Sequence, residues 1–529
     1  MIGYAAITFE FLLFVYISYL LGTPFLNLLP GSFAESRLKR TTYSIIIGYA
    51  LFGVVGLALI LLGQLNTPTL WAVVLTVVLL ARHELKKHLG ALRTAFRYNL
   101  FSAGANKIRG WMTDLWFLKG VIGIWLFVNF LFAFMPLTGH DTLFYHLPII
   151  DDILRHGTFT FRNEVSNHYS SFPLFGHVLY ASPGVLFQNT SPPFVFQLLQ
   201  YSTLPLILVI IYEFLREAGV SKTLRLAALI LTLALMDMER EVLRLGYTDM
   251  PALLFGFAGL FLIVSQISRK KFSYAELFAA GIMIGAGMSV KLLGLNFLVI
   301  SAVLLAACLL IRRARWTQIL KYTGALTGSS AAVVSYWYLK NFVAFGNPFY
   351  PIFSISGEST AIELFVVNPS ITHFFIFPFY RWGLQWFINP AEESSSQLIV
   401  AAYFAAVYIL LAFFLLKRRG IGSAALSLFA FIELYLLLLF TRSHYTRYLL
   451  PAIMALPPLL AILGENLRRF LADYEYKTPY RAALKTMFIG FNLLALILFV
   501  GNVRYFKHKF FYLVGRYNQE EYVIKNAGL

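Results

Sequence analysis

Residues able to carry chemistry are sparse in this chain and gather where apolar runs end. The stretch TGHDTLFYHLPIIDDILRHGT, residues 138–158, follows directly on an apolar run from Leu118 to Pro136 and places Asp141, Tyr145 and His146 where the chain leaves it. An aspartate so placed is of the type that takes a proton from an attacking hydroxyl; the plain alternative is a cap on a helix beginning near Thr142. Asp249, in YTDMPALLF, opens a later apolar run beside a proline and again suits a cap. Lys291, in GMSVKLLGLNF, lies at the junction of two apolar runs. A cation there, on the same side as the acids, suggests a site for an anion. The stretch TRSHYTRYLLPAI, residues 441–453, adds Arg442, His444, Arg447 and Tyr448. The planar fork of arginine matches phosphate oxygens, with snorkelling to lipid headgroups as the alternative.

Four histidines, His140, His146, His168 and His177, crowd the region of Asp141. With the neighbouring acids they are of the types that bind a divalent cation, but their spacing matches no known ligand motif, and solvated or ring-stacking histidines are the other reading. The sequence thus identifies no cofactor and leaves a divalent cation open. Tyr145 and His146, next to the candidate base, are suited to positioning substrate. Glu433, in LFAFIELYLLLLF, falls in mid-run, either on a proton path or as a hydrogen-bonded acid facing other helices.

The elements that must position these residues are set by composition. Of 529 residues, 59% are hydrophobic and 13% charged, with a mean hydropathy of +0.71; a soluble domain carries about a quarter charged residues. This is the composition of an all-α polytopic membrane protein. The net charge of +18 lies in short basic clusters between apolar runs, not in one patch, so nucleic acid is not an expected partner. The single cysteine, Cys308, allows neither a disulfide nor a thiolate metal site within one chain.

Counting runs of about 20 apolar residues, the length that crosses about 30 Å of hydrocarbon, predicts about 14 spans. They centre on residues 4–21, 43–63, 66–81, 117–136, 194–214, 224–238, 247–268, 274–290, 293–311, 319–338, 397–416, 421–440, 446–463 and 483–501. The first lacks a basic leader and a cleavage site and reads as a retained helix. With these spans every basic connection, from 35–40 and 82–119 to 468–485, falls on one side, which the positive-inside rule makes cytoplasmic. Asp141, Asp249, Lys291, Arg442 and Arg447 then lie outside, in a multi-pass protein of the cytoplasmic membrane. Residues 145–156 carry an apolar stripe of Leu147, Ile150, Ile153 and Leu154, which predicts a helix on the outer membrane surface. Residues 171–188 are apolar enough to dip into the membrane, but Pro173 and Pro183 argue against a full span. Three parts are expected: 1–116, three helices and a basic segment; 117–503, a transmembrane core with external loops 138–193 and 340–397; and an external tail, 504–529.

The order HDTLFYHLP, YTDMP, KLLGL, WYLKNFVAFGNPFYP and RYLLPA resembles bacterial members of the GT-C superfamily, membrane glycosyltransferases that use polyprenyl-phosphate sugars. These are similar to the protein O-mannosyltransferases and the lipid A aminoarabinose transferases. The resemblance runs from residue 117 to about residue 525, where VGRYNQEEYVIKN resembles the outer tail of such proteins, and leaves the first three helices outside. It implies a GT-C-type helical bundle with Asp141 as base or acceptor-orienting acid, Asp249 as a second acid, Lys291 near the donor phosphate, and Arg447 with Tyr448 near the lipid phosphate. The protein mannosyltransferases carry an Asp-Glu pair at the first position; here it is Asp141-Thr142, so the second acid is absent.

The chemistry agrees with that assignment. A polyprenyl-phosphate sugar already carries a good leaving group, so the site must supply one base for the acceptor hydroxyl and cations for the departing phosphate. The expected partners are this donor, a lipid, glycan or protein acceptor, and membrane lipids. Two other readings compete. A lipid or lipid-linked-sugar transporter would place its polar residues near the bilayer midplane. An oligosaccharide ligase or polymerase would use a diphosphate-linked donor and an arginine-rich outer loop.

Overall fold

Long runs of Leu, Ile, Val, Ala and Phe leave the backbone in a bilayer no partner but itself, and helices satisfy it within each segment. The computed structural model describes residues 2–28, 36–97, 115–137, 141–159, 169–188, 192–238, 247–350, 395–417, 420–440 and 446–472, with residues 511, 512, 517 and 521. Among these every regular element is helical. Each expected span up to 446–463 falls on a helix; the last, 483–501, lies outside the described residues, as do loop residues 351–394 and most of the tail. Among the described residues six helical stretches, Tyr4–Asn27, Arg37–Leu61, Phe196–Glu217, Asp249–Arg269, Gly294–Ile311 and Tyr448–Ala472, are long and apolar enough to cross a membrane. The chain is a polytopic helical membrane protein.

Two compact units divide it: Met1–Ile210 with Leu245–Ala258 and Ser289–Lys291, and the remainder. In the first, α1 (Ile2–Asn27) packs along α2 (Arg37–Leu61). The Ser36 side chain caps α2 by accepting from the Lys39 N–H. Asn66 caps α3 (Thr67–Leu80) in the same way through the Thr69 N–H at 3.0 Å. After Ala81 the chain bends by 72° into α4 (Arg82–Arg97). There follow α5 (Trp116–Phe132), a π-helical turn at Thr142–His146, α6 (Leu147–His156), a 3₁₀ turn at Tyr169–Ser171, α7 (Phe175–Phe187) and the start of α8 (Pro192–Glu217).

Two features of this unit go beyond the sequence reading. The apolar stripe of α6 is not left for lipid: Ile149, Ile150 and Ile153 are buried and α6 packs on α7, while Leu147 and Leu154 are only half-buried. The helix ends at Gly157 with φ +63, and a Cβ there would overlap the carbonyl oxygen of Leu65. Only glycine fits that left-handed turn against a neighbouring backbone. Secondly, α1, α2 and α3 pack on α7 and belong to its unit. A Cβ at Gly53 of α2 would run into the Phe175 ring, Thr67 Oγ1 donates to the Val185 carbonyl at 2.7 Å, and Trp71 Nε1 donates to that of Leu186 at 3.0 Å. The last two satisfy carbonyls in the last turn of α7, where that of Val185 also accepts from the Gln188 N–H at 3.5 Å. With 13 residues, α7 is too short to cross a bilayer, in accord with its prolines.

The second unit holds the rest of α8, then α9 (Lys222–Met238), most of α10 (Asp249–Arg269) and α11 (Tyr274–Val290), and α12 (Gly294–Ile311), α13 (Trp316–Phe345), α14 (Ser395–Leu416), α15 (Ser423–Phe440) and α16 (Thr446–Ala472). Buried Glu465 of α16 accepts from Arg468, Arg469 and the Ser221 N–H, and Arg469 donates to the Gly219 carbonyl at 2.6 Å. These bonds hold the turn between α8 and α9 against α16. Glu433 accepts from Tyr408 Oη of α14 at 2.6 Å, the hydrogen bond to a neighbouring helix that one of its two readings expects.

Candidate functional site

Asp141 opens the π-helical turn with helical dihedrals, φ −59 and ψ −34, and its side chain makes no capping hydrogen bond. The capping alternative therefore does not hold for it. A π turn inserts an extra residue into a helix and re-aims the side chains on it, a device concentrated at functional sites. Here it runs Thr142 to His146 and continues directly into α6. Thr142 and His146 point inward and are buried, Leu143 and Phe144 are exposed, and Asp141 and Tyr145 are half-buried.

From that turn a continuous set of rings runs inward. Tyr145 stacks on Tyr169 with centroids 4.0 Å apart and planes 10° from parallel, and Tyr169 in turn meets Phe172 at 5.7 Å. His146 lies 4.1 Å from the Tyr145 ring, and its Nδ1 is 2.8 Å from Nε2 of His177, one imidazole donating to the other. Tyr247 meets the His146 ring edge-on at 6.0 Å, and Tyr180 Oη donates to the Tyr247 carbonyl at 3.4 Å. Two residues beyond Tyr247 stands Asp249, whose Oδ1 accepts from Lys291 Nζ at 2.5 Å. The side chain of Asp249 is 6% exposed and that of Lys291 24%. The same close packing joins the two ends of the set: a Cβ on Gly176 would press against Thr248 and Val290, the residues just before Asp249 and Lys291.

Burial pushes the His177 imidazole down to about 3, so the pair with His146 is held neutral at this end. Burial, and next the Asp249 carboxylate, hold the Tyr180 phenol well above its ordinary value. Asp249 Oδ2 is buried and has no hydrogen-bond partner among the described residues. A carboxylate oxygen left so costs on the order of 1–3 kcal/mol or more, a cost that a donor brought to it would remove. The arrangement offers an acid at the mouth of the set, rings for an apolar or sugar face, and a cation–carboxylate pair with one acceptor oxygen unshared.

Five of the residues singled out in the sequence, Asp141, Tyr145, His146, Asp249 and Lys291, thus fall in one unit. Arg442 lies outside the described residues, as do His140 and His168; Arg447 and the half-buried Tyr448 stand in the first turn of α16, in the second unit. Of the four histidines, the two described, His146 and His177, pair with each other, and among the described residues no three His, Cys, Asp or Glu side chains group as a metal would need. Asp151 and Asp152 pair along their own helix with Arg155 at 2.7 Å and His156 at 3.8 Å. Tyr169, Tyr180 and Tyr247 were not legible as site residues. His177 carried one signal, a lone imidazole inside the apolar stretch FPLFGHVLYASP. No protein-family model, curated protein or solved structure matches the chain.

Proposed function

We propose that this chain is an inverting membrane glycosyltransferase of the GT-C type, which moves a sugar from a polyprenyl-phosphate carrier to a lipid, glycan or protein acceptor at the outer face of the cytoplasmic membrane. The observation that carries this reading is the Asp249–Lys291 pair, its carboxylate buried and its ammonium half-buried, in the unit that also holds the ring set and Asp141. Asp141, half-buried and not spent on a cap, takes the proton of the acceptor hydroxyl as that oxygen attacks the anomeric carbon. The bond to the phosphate oxygen breaks on the opposite face, and Lys291 stabilises the charge that develops there. Asp249 orients Lys291 through Oδ1 and offers Oδ2 to a substrate hydroxyl. Tyr145 and Tyr169 give the sugar an aromatic wall.

The test uses purified protein in nanodiscs offered a panel of synthetic polyprenyl-phosphate sugars. Native mass spectrometry reads which carrier is retained, and transfer of labelled sugar into membrane extract reads catalysis. Lys291→Ala is expected to weaken retention of the selected carrier. Asp141→Asn should retain it but lose transfer by roughly 10²- to 10⁴-fold, the usual contribution of a general base. Full transfer by correctly inserted Asp141→Asn protein would sink the assignment of the base. Movement of the carrier across a bilayer without covalent change would replace the enzyme by a transporter.

A further inference from the structure

The bent helix α4 has no part in the site above, and its three faces differ in chemistry. Its sequence, RHELKKHLGALRTAFR, holds a single acid, Glu84. At roughly 100° per residue, Glu84 and His88 share one face, Leu85 and Leu89 a second, and Arg82 and Lys86 a third. The first face is docked on the protein. Glu84 Oε1 accepts from Arg40 Nη2 of α2 at 3.5 Å, while His88 Nδ1 lies 3.2 Å from Tyr16 Oη and its ring stacks on Tyr19 of α1 at 5.4 Å. The other two faces look away from α1 and α2: Arg82 and Lys86 are exposed, Leu85 is half-buried and Leu89 is 55% exposed. In the sequence the same spacing repeats the apolar residues at Leu92 and Phe96 and the basic ones at Arg93 and Arg97.

The corner before α4 sets the direction in which these faces look. Ala81 and Val77 are buried against Leu20 of α1, with Tyr16 and Tyr19 packed around them, so the end of α3 is held in place. Leu75, Leu79 and Leu80, on the last turns of α3, are exposed, as lipid-facing residues of an apolar helix are. A helix that turns by 72° from this lipid-facing helix lies nearer the plane of the bilayer than its normal. Its one acid is turned to the protein, its leucines stand beside its cations, and those cations reach the headgroup level by snorkelling.

We infer that α4 lies in the membrane interface and is a binding surface for anionic phospholipid headgroups, with Leu85 and Leu89 entering the acyl boundary and Arg82 and Lys86 holding the phosphates. The inference is independent of the glycosyltransferase reading. An acidic protein partner is the other chemistry that exposed cations would suit, but it would leave the leucine stripe beside them without a purpose.

The full chain with Cys308→Ser and a single label site, Leu89→Cys or Lys87→Cys, is labelled with bimane. It is placed in nanodiscs of phosphatidylcholine alone or with about 30% phosphatidylglycerol, each doped with nitroxide lipid. The expected result is strong quenching at position 89, deeper in the anionic discs, and little at position 87. Adding Arg82→Gln and Lys86→Gln should cancel the gain from phosphatidylglycerol while the melting temperature in detergent stays unchanged. Unlabelled wild type gives a second reading, since hydrogen exchange of residues 82–97 should slow several-fold when phosphatidylglycerol is present. Equal quenching at both positions, or exchange and quenching indifferent to phosphatidylglycerol, would overturn the inference.

Discussion

His177 contributes a pH dependence whose sign follows from its burial. Its imidazole is lowered from the ordinary 6.5 to about 3, so the folded protein keeps it neutral where the unfolded chain would take a proton. The contribution is fully present above pH 6.5 and shrinks as the pH falls from there toward 3, by up to about 1.4 kcal/mol per pH unit. Thermal melting in detergent at about pH 7.5 and about pH 5.5 should therefore show a larger drop for wild type than for His177→Gln, which removes the titrating group and can still hydrogen-bond His146. Equal drops would mean that another group titrates in this window. The residue scale is also where reading from sequence reached furthest. Asp141, Asp249 and Lys291 stood out because an ion at the end of an apolar run has few reasons to be there. Tyr169, Tyr180 and Tyr247 were hidden among 30 tyrosines, whose abundance at membrane interfaces is ordinary.

At the scale of elements, periodicity identified helices well and their partners poorly. The apolar stripe of α6 was visible, but a hydrophobic stripe looks the same whether lipid or another helix covers it. Only the packing of Ile149, Ile150 and Ile153 on the α7 side assigns it to protein. The π turn at Thr142–His146 has no sequence signature, since it differs from an α-helix by one inserted residue. The contact of α2 with α7 was equally hidden, because it depends on Gly53 meeting Phe175 across more than a hundred residues. That contact makes a sharp prediction. Gly53→Ala places a methyl where the Phe175 ring lies and should destabilise the protein by about 1–3 kcal/mol, the usual cost of overpacking. Phe175→Leu on its own opens a small cavity, but in combination with Gly53→Ala it should recover part of the loss. Melting temperatures of the wild type, both single variants and the double variant form the cycle that checks it. Additive losses would mean that the two side chains do not meet.

At the scale of the whole molecule, the first three helices change meaning. By sequence they stood outside the resemblance, which begins near residue 117, and had no role assigned. In the structure they are the wall behind α7: Gly53 faces Phe175, Val178 and Ser182 stand against Gly56, and the α3 side chains of Thr67 and Trp71 satisfy carbonyls in the last turn of α7. Phe175 and Val178 flank Gly176 and His177, the residues that α7 gives to the candidate site. A chain without the first helices would leave that helix with an uncovered apolar face and open polar groups at its end, and burying or hydrating both cannot be achieved by local rearrangement. Expression of residues 115–529 alone should accordingly give protein that aggregates or melts far below the full chain. Co-expression with residues 1–97 as a separate polypeptide should restore a complex that co-purifies in detergent, since the helix contacts need no covalent link. A monodisperse 115–529 fragment melting with the full chain would make the leading helices an appendage, and would detach the support of α7 from whatever chemistry His177 and Asp249 perform.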